Sequence, residues 1–179
     1  MQEAVAKHEE VVYSKYELVR VVNHDRESSV AGKLAFLNHW HEELEITYNI
    51  NGRGLYYIDG CRIQGETGRL IVINSESVHR IEPDFSSMGD GIHAVTVLLH
   101  PKFLEENFPK YKEFLFANDK RQTRTEIQDI MMKLSFSSNG RGFLAVIHVC
   151  FYSLPVYDKF FSNLAFTVAM VLPCLPEIL

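Results

Sequence analysis

The chain has 179 residues, of which 46% are hydrophobic and 23% are charged. This composition is typical of one globular domain, with room for a helical appendage. The formal net charge of −5, from 18 basic against 23 acidic residues, argues against the basic surface of a nucleic-acid-binding domain. The three cysteines are widely spaced and form no CxxC pair, which predicts a reduced, cytoplasmic setting.

Residues 10–100 predict an all-β unit, because short runs rich in Val, Ile, Leu and Tyr alternate with glycine-containing turns. Several short strands at this spacing are typical of a sandwich or a barrel. Asp59-Gly60, between "LYYI" and "CRI", predicts a tight hairpin turn. Tyr56 and Tyr57 are adjacent on such a strand, so one of them faces each side.

Beyond residue 100 the apolar residues recur at helical spacing. Pro101 is expected to open a short helix, and "TRTEIQDIMMKL" predicts an amphipathic helix with Thr123 and Glu126 as a capping box. Two further apolar segments, at about 142–154 and 159–172, predict a helical pair. Each is shorter than the roughly 20 residues that span a membrane, so no membrane role is expected. Helices that are apolar nearly all round are buried, which predicts a homodimer through these C-terminal helices.

The stretch "NHWHEELEITYNI" concentrates ionisable groups in a predicted strand. Side chains two residues apart share one face of a strand. The polar face carries six residues: His39, His41, Glu43, Glu45, Thr47 and Asn49. The opposite face is apolar except for Glu42 and carries Trp40, Leu44, Ile46, Tyr48 and Ile50. We therefore predict that the polar face lines a barrel cavity and that the apolar face packs against another sheet or the C-terminal helices.

These residues resemble the first sequence motif of the cupins. Gly32, His39, His41, Glu45 and Gly52 match its pattern of glycine, His-x-His, glutamate and glycine, with one extra residue between the first two.

The second cupin motif is matched only in part. Gly68 and His79 have the expected spacing, but Asn74 and Glu76 stand where the motif has proline and glycine, and Pro83 stands where it has asparagine.

The barrel pattern followed by "LHPKFL" and amphipathic helices resembles the N-terminal domain of AraC-type transcription regulators. The resemblance implies a mainly β fold, namely a cupin-type β-barrel (double-stranded β-helix, or jelly roll) followed by a C-terminal α-helical hairpin. Residues 1–100 would form the sensor domain, and residues 101–179 a dimerising tail that ends before a DNA-binding domain absent from this chain. The implied function is non-enzymatic binding of a small polar, sugar-like effector inside the barrel, with DNA bound only through that C-terminal domain.

His39, His41, Glu45 and His79 occupy the positions that bind metal in metal-dependent cupins. Three imidazoles and a carboxylate suit one divalent transition metal, Zn, Ni, Fe or Mn; alternatively the same groups bind the effector directly. Two other functions stay open: a metal-dependent cupin enzyme of the dioxygenase or isomerase type, and a structural dimerisation module with a vestigial cavity. His93 could face the cavity, although a lone strand histidine is more often exposed.

Overall fold

The computed structural model describes residues 5–15, 17–27, 37–113, 115, 116, 118 and 125–137, with the backbone alone at 125–127 and at 136 and 137. In these ranges nine strands form two sheets that enclose an interior, which confirms the predicted mainly β fold. The five-stranded sheet has the order β1-β3-β8-β5-β6, and the four-stranded sheet has the order β2-β9-β4-β7. The strands are β1 Lys7–His8, β2 Val19–His24, β3 His39–Trp40, β4 Leu44–Asn49, β5 Gly54–Ile58, β6 Cys61–Gly65, β7 Leu70–Ile73, β8 His79–Pro83 and β9 Ala94–Leu99.

Two α-helices follow the strands, α1 at Pro101–Asn107 and α2 at Thr125–Ser137. Single 3-10 turns lie at Phe85–Ser87 and Tyr111–Glu113. Helix α1 begins at its proline as predicted, since proline lacks the amide hydrogen that would stay unpaired in a first turn. No helix in the described part of the chain is long and apolar enough to cross a membrane.

Several predictions fall outside the described residues. These are Thr123 of the capping box, the helical pair at 142–154 and 159–172 with its dimer contact, and Gly32 of the first motif.

The hairpin predicted at Asp59-Gly60 is confirmed. Both residues have positive φ, 48° and 80°, as a two-residue type I′ turn requires. The flanking Ile58 and Cys61 are paired across β5 and β6. The turn therefore fixes the register in which Tyr56 faces the barrel interior.

The predicted single strand over residues 38–50 is wrong, because the chain changes sheets within it. Strand β3 belongs to the five-stranded sheet, whereas β4 belongs to the four-stranded sheet, and residues 41–43 connect them. The backbone pairing explains the break: His39 pairs with His79 of β8, while Leu44–Asn49 pairs with β7 and β9. The polar side chains of both strands nevertheless face the barrel interior.

The apolar side of β4 packs against the helices, as predicted. Leu44 and Ile46 belong to one buried cluster with Phe103 of α1 and with Met131 and Leu134 of α2. Burial of each such side chain stabilises the fold by about 1.5–3 kcal/mol. This packing holds β4 with its other face toward the barrel interior, where Glu45 and Thr47 lie.

A second apolar cluster lies between the two sheets. It contains Tyr56 and Ile58 of β5 and Ile71 and Ile73 of β7. Of the two adjacent tyrosines it is thus Tyr56 that faces inward.

Candidate functional site

The structure brings together the four residues predicted as ligands. His39 of β3 and His79 of β8 are cross-strand partners within the five-stranded sheet, His41 lies in the connection to β4, and Glu45 is the second residue of β4. All four are buried, with exposed fractions of 1–6%. We call these four residues the histidine cluster.

The spacing within the histidine cluster is that of ligands around one ion. The Oε2 atom of Glu45 lies 3.2 Å from Nε2 of His41 and 3.6 Å from Nε2 of His79. Ring nitrogens of His39, His41 and His79 all lie within 4.8 Å of one another. Two ligand atoms at about 2.1 Å from an ion lie about 3.0 Å apart in octahedral and about 3.4 Å apart in tetrahedral geometry. Small side-chain adjustments would therefore satisfy a metal.

Backbone carbonyls orient two of the rings. Nδ1 of His39 donates to the carbonyl oxygen of Leu37 at 2.8 Å, and Nδ1 of His79 donates to that of Ser77 at 2.9 Å. Since Nδ1 carries the hydrogen, Nε2 is the nitrogen available to a ligand in both rings. Nε2 of His79 is buried without a hydrogen-bond partner. Metal-binding histidines show this arrangement, in which the second ring nitrogen donates to a carbonyl or carboxylate.

The buried carboxylate of Glu45 is ionised within the histidine cluster. Burial alone would raise the pKa of Glu45, but the hydrogen bond from His41 and the close positive charges of His79 and His41 hold that pKa well below its ordinary value. The pKa of His79 is raised, because the Glu45 carboxylate outweighs the opposing effect of burial. The pKa of His39 is lowered, first by burial and then by the charge of His79. A carboxylate and a neutral imidazole are therefore present for a cation near neutral pH.

Glu9 is a further group at the histidine cluster. Strand β1 pairs in parallel with β3, and this pairing places Oε2 of Glu9 3.4 Å from Nε2 of His39. The sequence gives no local signal for this contact, since 30 positions separate the two residues.

Glu43 flanks the histidine cluster on another side. It is buried and lies 3.5 Å from Nδ1 of His41. His41 therefore has a carboxylate at each ring nitrogen.

A chain of buried hydrogen bonds leads from the histidine cluster along the inner face of the four-stranded sheet. Thr47 donates to Oε1 of Glu45 at 2.9 Å. Its oxygen lies 2.7 Å from that of Thr96, which in turn lies 2.8 Å from Nε2 of His24. Because the proton of Thr47 is committed to a carboxylate, Thr96 donates to Thr47, and His24 donates to Thr96. Burial lowers the pKa of His24 despite the charge of Glu45, which agrees with a neutral ring that carries its hydrogen on Nε2.

Beside this hydrogen-bond chain lies a cavity of about 240 Å³ between the sheets, here called the barrel pocket. Its apolar walls include Val22, Ile81, Pro83, Met88 and Ala94. Its polar lining includes His24, Thr47, Asn49, Tyr56, His93 and Thr96.

His93 is in the barrel wall and not on the surface. It is 2% exposed. The expectation that a lone strand histidine is exposed is therefore wrong here. The ring is buried because the residue precedes β9 at a point where its backbone is held by the neighbouring segments: its carbonyl accepts from Ile50 and Asn51, and its amide donates to His24. Sequence reasoning also missed His24 and Thr96, whose inward direction follows only from the strand pairing.

The residues present fit a divalent transition metal. Nitrogen and carboxylate oxygen are the donors that Zn, Ni, Fe and Mn accept, and three histidines with one glutamate leave further positions for another ligand. The buried, unpartnered Nε2 of His79 and the ligand spacing in the histidine cluster both agree with this fit. The three histidines could thus form a metal site.

Among solved structures, the chain is similar to a mutant of the Bacillus subtilis oxalate decarboxylase OxdC, with 22% identity and a TM-score of 0.33 over 51% of this chain and 23% of that chain. It is similar to a predicted oxalate decarboxylase of Thermotoga maritima, with 15% identity and a TM-score of 0.30 over 46% and 80% of the two chains. It is also similar to a cupin-2 domain protein of Rhodospirillum rubrum, with 12% identity and a TM-score of 0.30 over 87% and 76%. Similarities at this level assign no activity, and no curated protein matches the sequence.

The family model described as the AraC-like ligand binding domain matches residues 32–143, which is more than half of the chain. The match covers the histidine cluster, the barrel pocket strands from β3 to β9 and helices α1 and α2. The predicted cupin-type β-barrel is thereby confirmed. The chain belongs to the AraC-like ligand binding domain family.

Proposed function

We propose that this chain is the effector-sensing domain of an AraC-type transcription regulator and that it binds a small molecule inside its barrel without turning it over. The observation that carries the proposal is the convergence of buried, ionisable side chains beside a cavity in a member of this family. Buried polar groups that converge on a cavity are the usual anchors of a small ligand. DNA would be bound only through a C-terminal domain outside this chain.

The histidine cluster would anchor the effector. His39, His41, Glu45 and His79 would bind it either directly or through one divalent transition metal, Zn, Ni, Fe or Mn. When bound, such a metal supplies Lewis acidity that polarises an oxygen of the ligand. The protein's part is to hold the ring nitrogens toward one point, through the carbonyl oxygens that accept from Nδ1 of His39 and His79.

A signal would leave the barrel through α2. Adjacent side chains of β2 face opposite sides. His24 lines the barrel pocket, while the side-chain Nδ2 of its neighbour Asn23 donates to the carbonyl oxygen of Ser135 in α2 at 2.8 Å. Gln128 of α2 donates to the carbonyl oxygen of Gly68 at 3.2 Å. A ligand that prefers one arrangement of β2 would thus bias the position of α2, which is a two-state coupling.

The proposal also covers the division of the chain into two parts and its location in the cell. Residues 1–100 would be the sensor and residues 101–179 the dimerising tail, in a cytoplasmic regulator. The apolar character of the segments beyond residue 140 supports a homodimer, since helices apolar on every side need a partner surface.

The first test is a metal titration of protein purified without an affinity tag. Elemental analysis and calorimetry with Zn²⁺ would be run on the wild type, on His41→Ala, and on His8→Ala as a control that removes an exposed histidine. We expect near-stoichiometric binding that weakens more than tenfold in His41→Ala only, as loss of a metal ligand should cause. If no form binds metal, direct contact between the effector and the histidine cluster is the remaining mode of binding.

A metal-dependent cupin enzyme of the dioxygenase or isomerase type is the second candidate. The set of three histidines and one glutamate favours it, since that set leaves coordination positions for a substrate. The two candidates differ in turnover. A sensor returns its ligand unchanged after prolonged incubation with the metal-loaded protein, whereas an enzyme yields a product of different mass that disappears in His41→Ala.

A further inference from the structure

We infer that the barrel pocket takes a compact, largely apolar molecule that carries a neutral hydroxyl or N–H group, and that His93 accepts the hydrogen bond from that group. This inference rests on the proposed function, a small molecule bound inside the barrel. It concerns the part of the ligand that lies in the barrel pocket, which no residue of the histidine cluster lines, and it replaces the sugar-like effector expected from the resemblance. Three observations support it: the orientation of His93, the state of the other polar groups, and the size and walls of the pocket.

His93 offers a hydrogen-bond acceptor. Its Nδ1 lies 3.2 Å from the carbonyl oxygen of Asn51, which can only accept, so the hydrogen is on Nδ1. Its Nε2 is buried and has no hydrogen-bond partner. A hydrogen on Nε2 would be a buried donor without an acceptor, which is costly. The neutral ring therefore presents a lone pair in the wall of the barrel pocket, where a ligand donor would satisfy it.

Most of the other buried donors that line the pocket already donate to acceptors of the protein. Thr47 donates to Glu45, and Thr96 and His24 donate along the same chain. The hydroxyl of Tyr56 donates to Oδ1 of Asn49 at 2.9 Å. The oxygens of these hydroxyls can still accept. A ligand group that donates is therefore matched by the lining. A group that needs a donor, such as a carboxylate, finds only the second N–H of Asn49 and the exposed Arg53, whose guanidinium already pairs with Asp84.

Volume and walls limit the rest of the ligand. A cavity of about 240 Å³ holds roughly eight waters at about 30 Å³ each, which corresponds to a single ring. Val22, Ile81, Pro83, Met88 and Ala94 provide apolar contact. A sugar would place several hydroxyls against these walls, where each loses its hydrogen bonds to water without replacement.

Phenol, anisole and glucose test the inference. Phenol and anisole share a ring, but anisole has no hydroxyl to donate. Dissociation constants would be measured by calorimetry on the full chain, on His93→Phe, and on His8→Phe as a control at an exposed histidine that does not line the pocket. We expect phenol to bind more tightly than anisole in the wild type. This preference should fall by about threefold to tenfold in His93→Phe, as loss of one neutral hydrogen bond predicts, and should persist in His8→Phe.

A second measurement does not depend on the variant folding. In ¹⁵N-labelled wild type, phenol should shift the Nε2 resonance of His93, and anisole should leave it nearly unchanged. An unmoved Nε2 resonance at saturating phenol would overturn the inference, as would an equal preference for phenol in His93→Phe. Binding of glucose but not of phenol would also overturn the inference, but it would still agree with an effector that binds inside the barrel. If none of the three compounds binds, the inferred ligand class is rejected. The metal titration described above then tests the proposed function independently.

Discussion

Replacing Thr96 by valine removes one hydroxyl from the buried hydrogen-bond chain between His24 and Glu45 while nearly preserving side-chain shape. In the native chain, Thr96 accepts from Nε2 of His24 at 2.8 Å and donates to Thr47 at 2.7 Å. In Thr96→Val the N–H of His24 loses its acceptor in the barrel wall. Thr47 keeps its hydrogen bond to Glu45 and loses only an incoming donor.

The expected cost follows from this asymmetry. A buried donor left without an acceptor costs about 1–3 kcal/mol, so we expect Thr96→Val to lower the free energy of unfolding by about 2 kcal/mol. For a chain of this length, the midpoint of thermal unfolding should fall by about 4–8 °C. Urea denaturation at pH 7, with a chelator present to keep metal out of the histidine cluster, measures the change directly.

A double-mutant cycle isolates the proposed contact. His24→Phe removes the donor, so adding Thr96→Val to it leaves no orphaned N–H group. The double variant should therefore be more stable than the sum of the two single effects predicts, by about 1 kcal/mol. Additive effects would refute the reasoning, because they would mean that His24 and Thr96 share no hydrogen bond.

Three other predictions concern Glu45, Gly65 at the end of β6, and Glu76 in the segment between β7 and β8. Glu45→Gln should destabilise the metal-free protein most between about pH 4.5 and 6.5, measured by urea denaturation across pH. The lowered pKa of Glu45 gives stability that is lost as pH falls through that pKa, and the raised pKa of His79 gives stability that is lost as pH rises through it. Gly65→Ala should cost about 1–3 kcal/mol in chemical denaturation, because an added Cβ would overlap the ring of Tyr56; an unchanged midpoint would contradict this packing. Glu76→Gly should raise the thermal midpoint through a gain of about 0.5–1 kcal/mol, since relief of the positive φ of 65° exceeds the added freedom of the unfolded chain.

The sequence predicted those features of the site that depend on local spacing. The i, i+2 pattern placed His39 and His41 on one side, and the Asp59-Gly60 dipeptide placed a hairpin where the structure has one. Local spacing did not show that the chain changes sheets at residues 41–43. The polar side chains recur at every second residue across the break, and Glu42 alone interrupts the apolar side, while the pairing partners change.

The rest of the site depends on contacts between distant segments. Glu9 reaches His39 only because β1 pairs with β3. His93 faces the interior because its backbone is held by residues 24, 50 and 51. A pairing between segments so far apart leaves no trace in the local pattern of either segment.

The contact between Glu9 and His39 gives the protein a way to report what occupies its interior. A metal ion or small molecule that binds Nε2 of His39 either keeps the Glu9 carboxylate as a neighbour or displaces it. In the first case the N-terminal strand is held more firmly, and in the second it is released. The rate at which trypsin cleaves after the exposed Lys7, on β1 itself, would then change in opposite directions for the two kinds of occupant. Limited proteolysis followed by gel electrophoresis could thus sort unidentified ligands into those that keep the contact between Glu9 and His39 and those that break it.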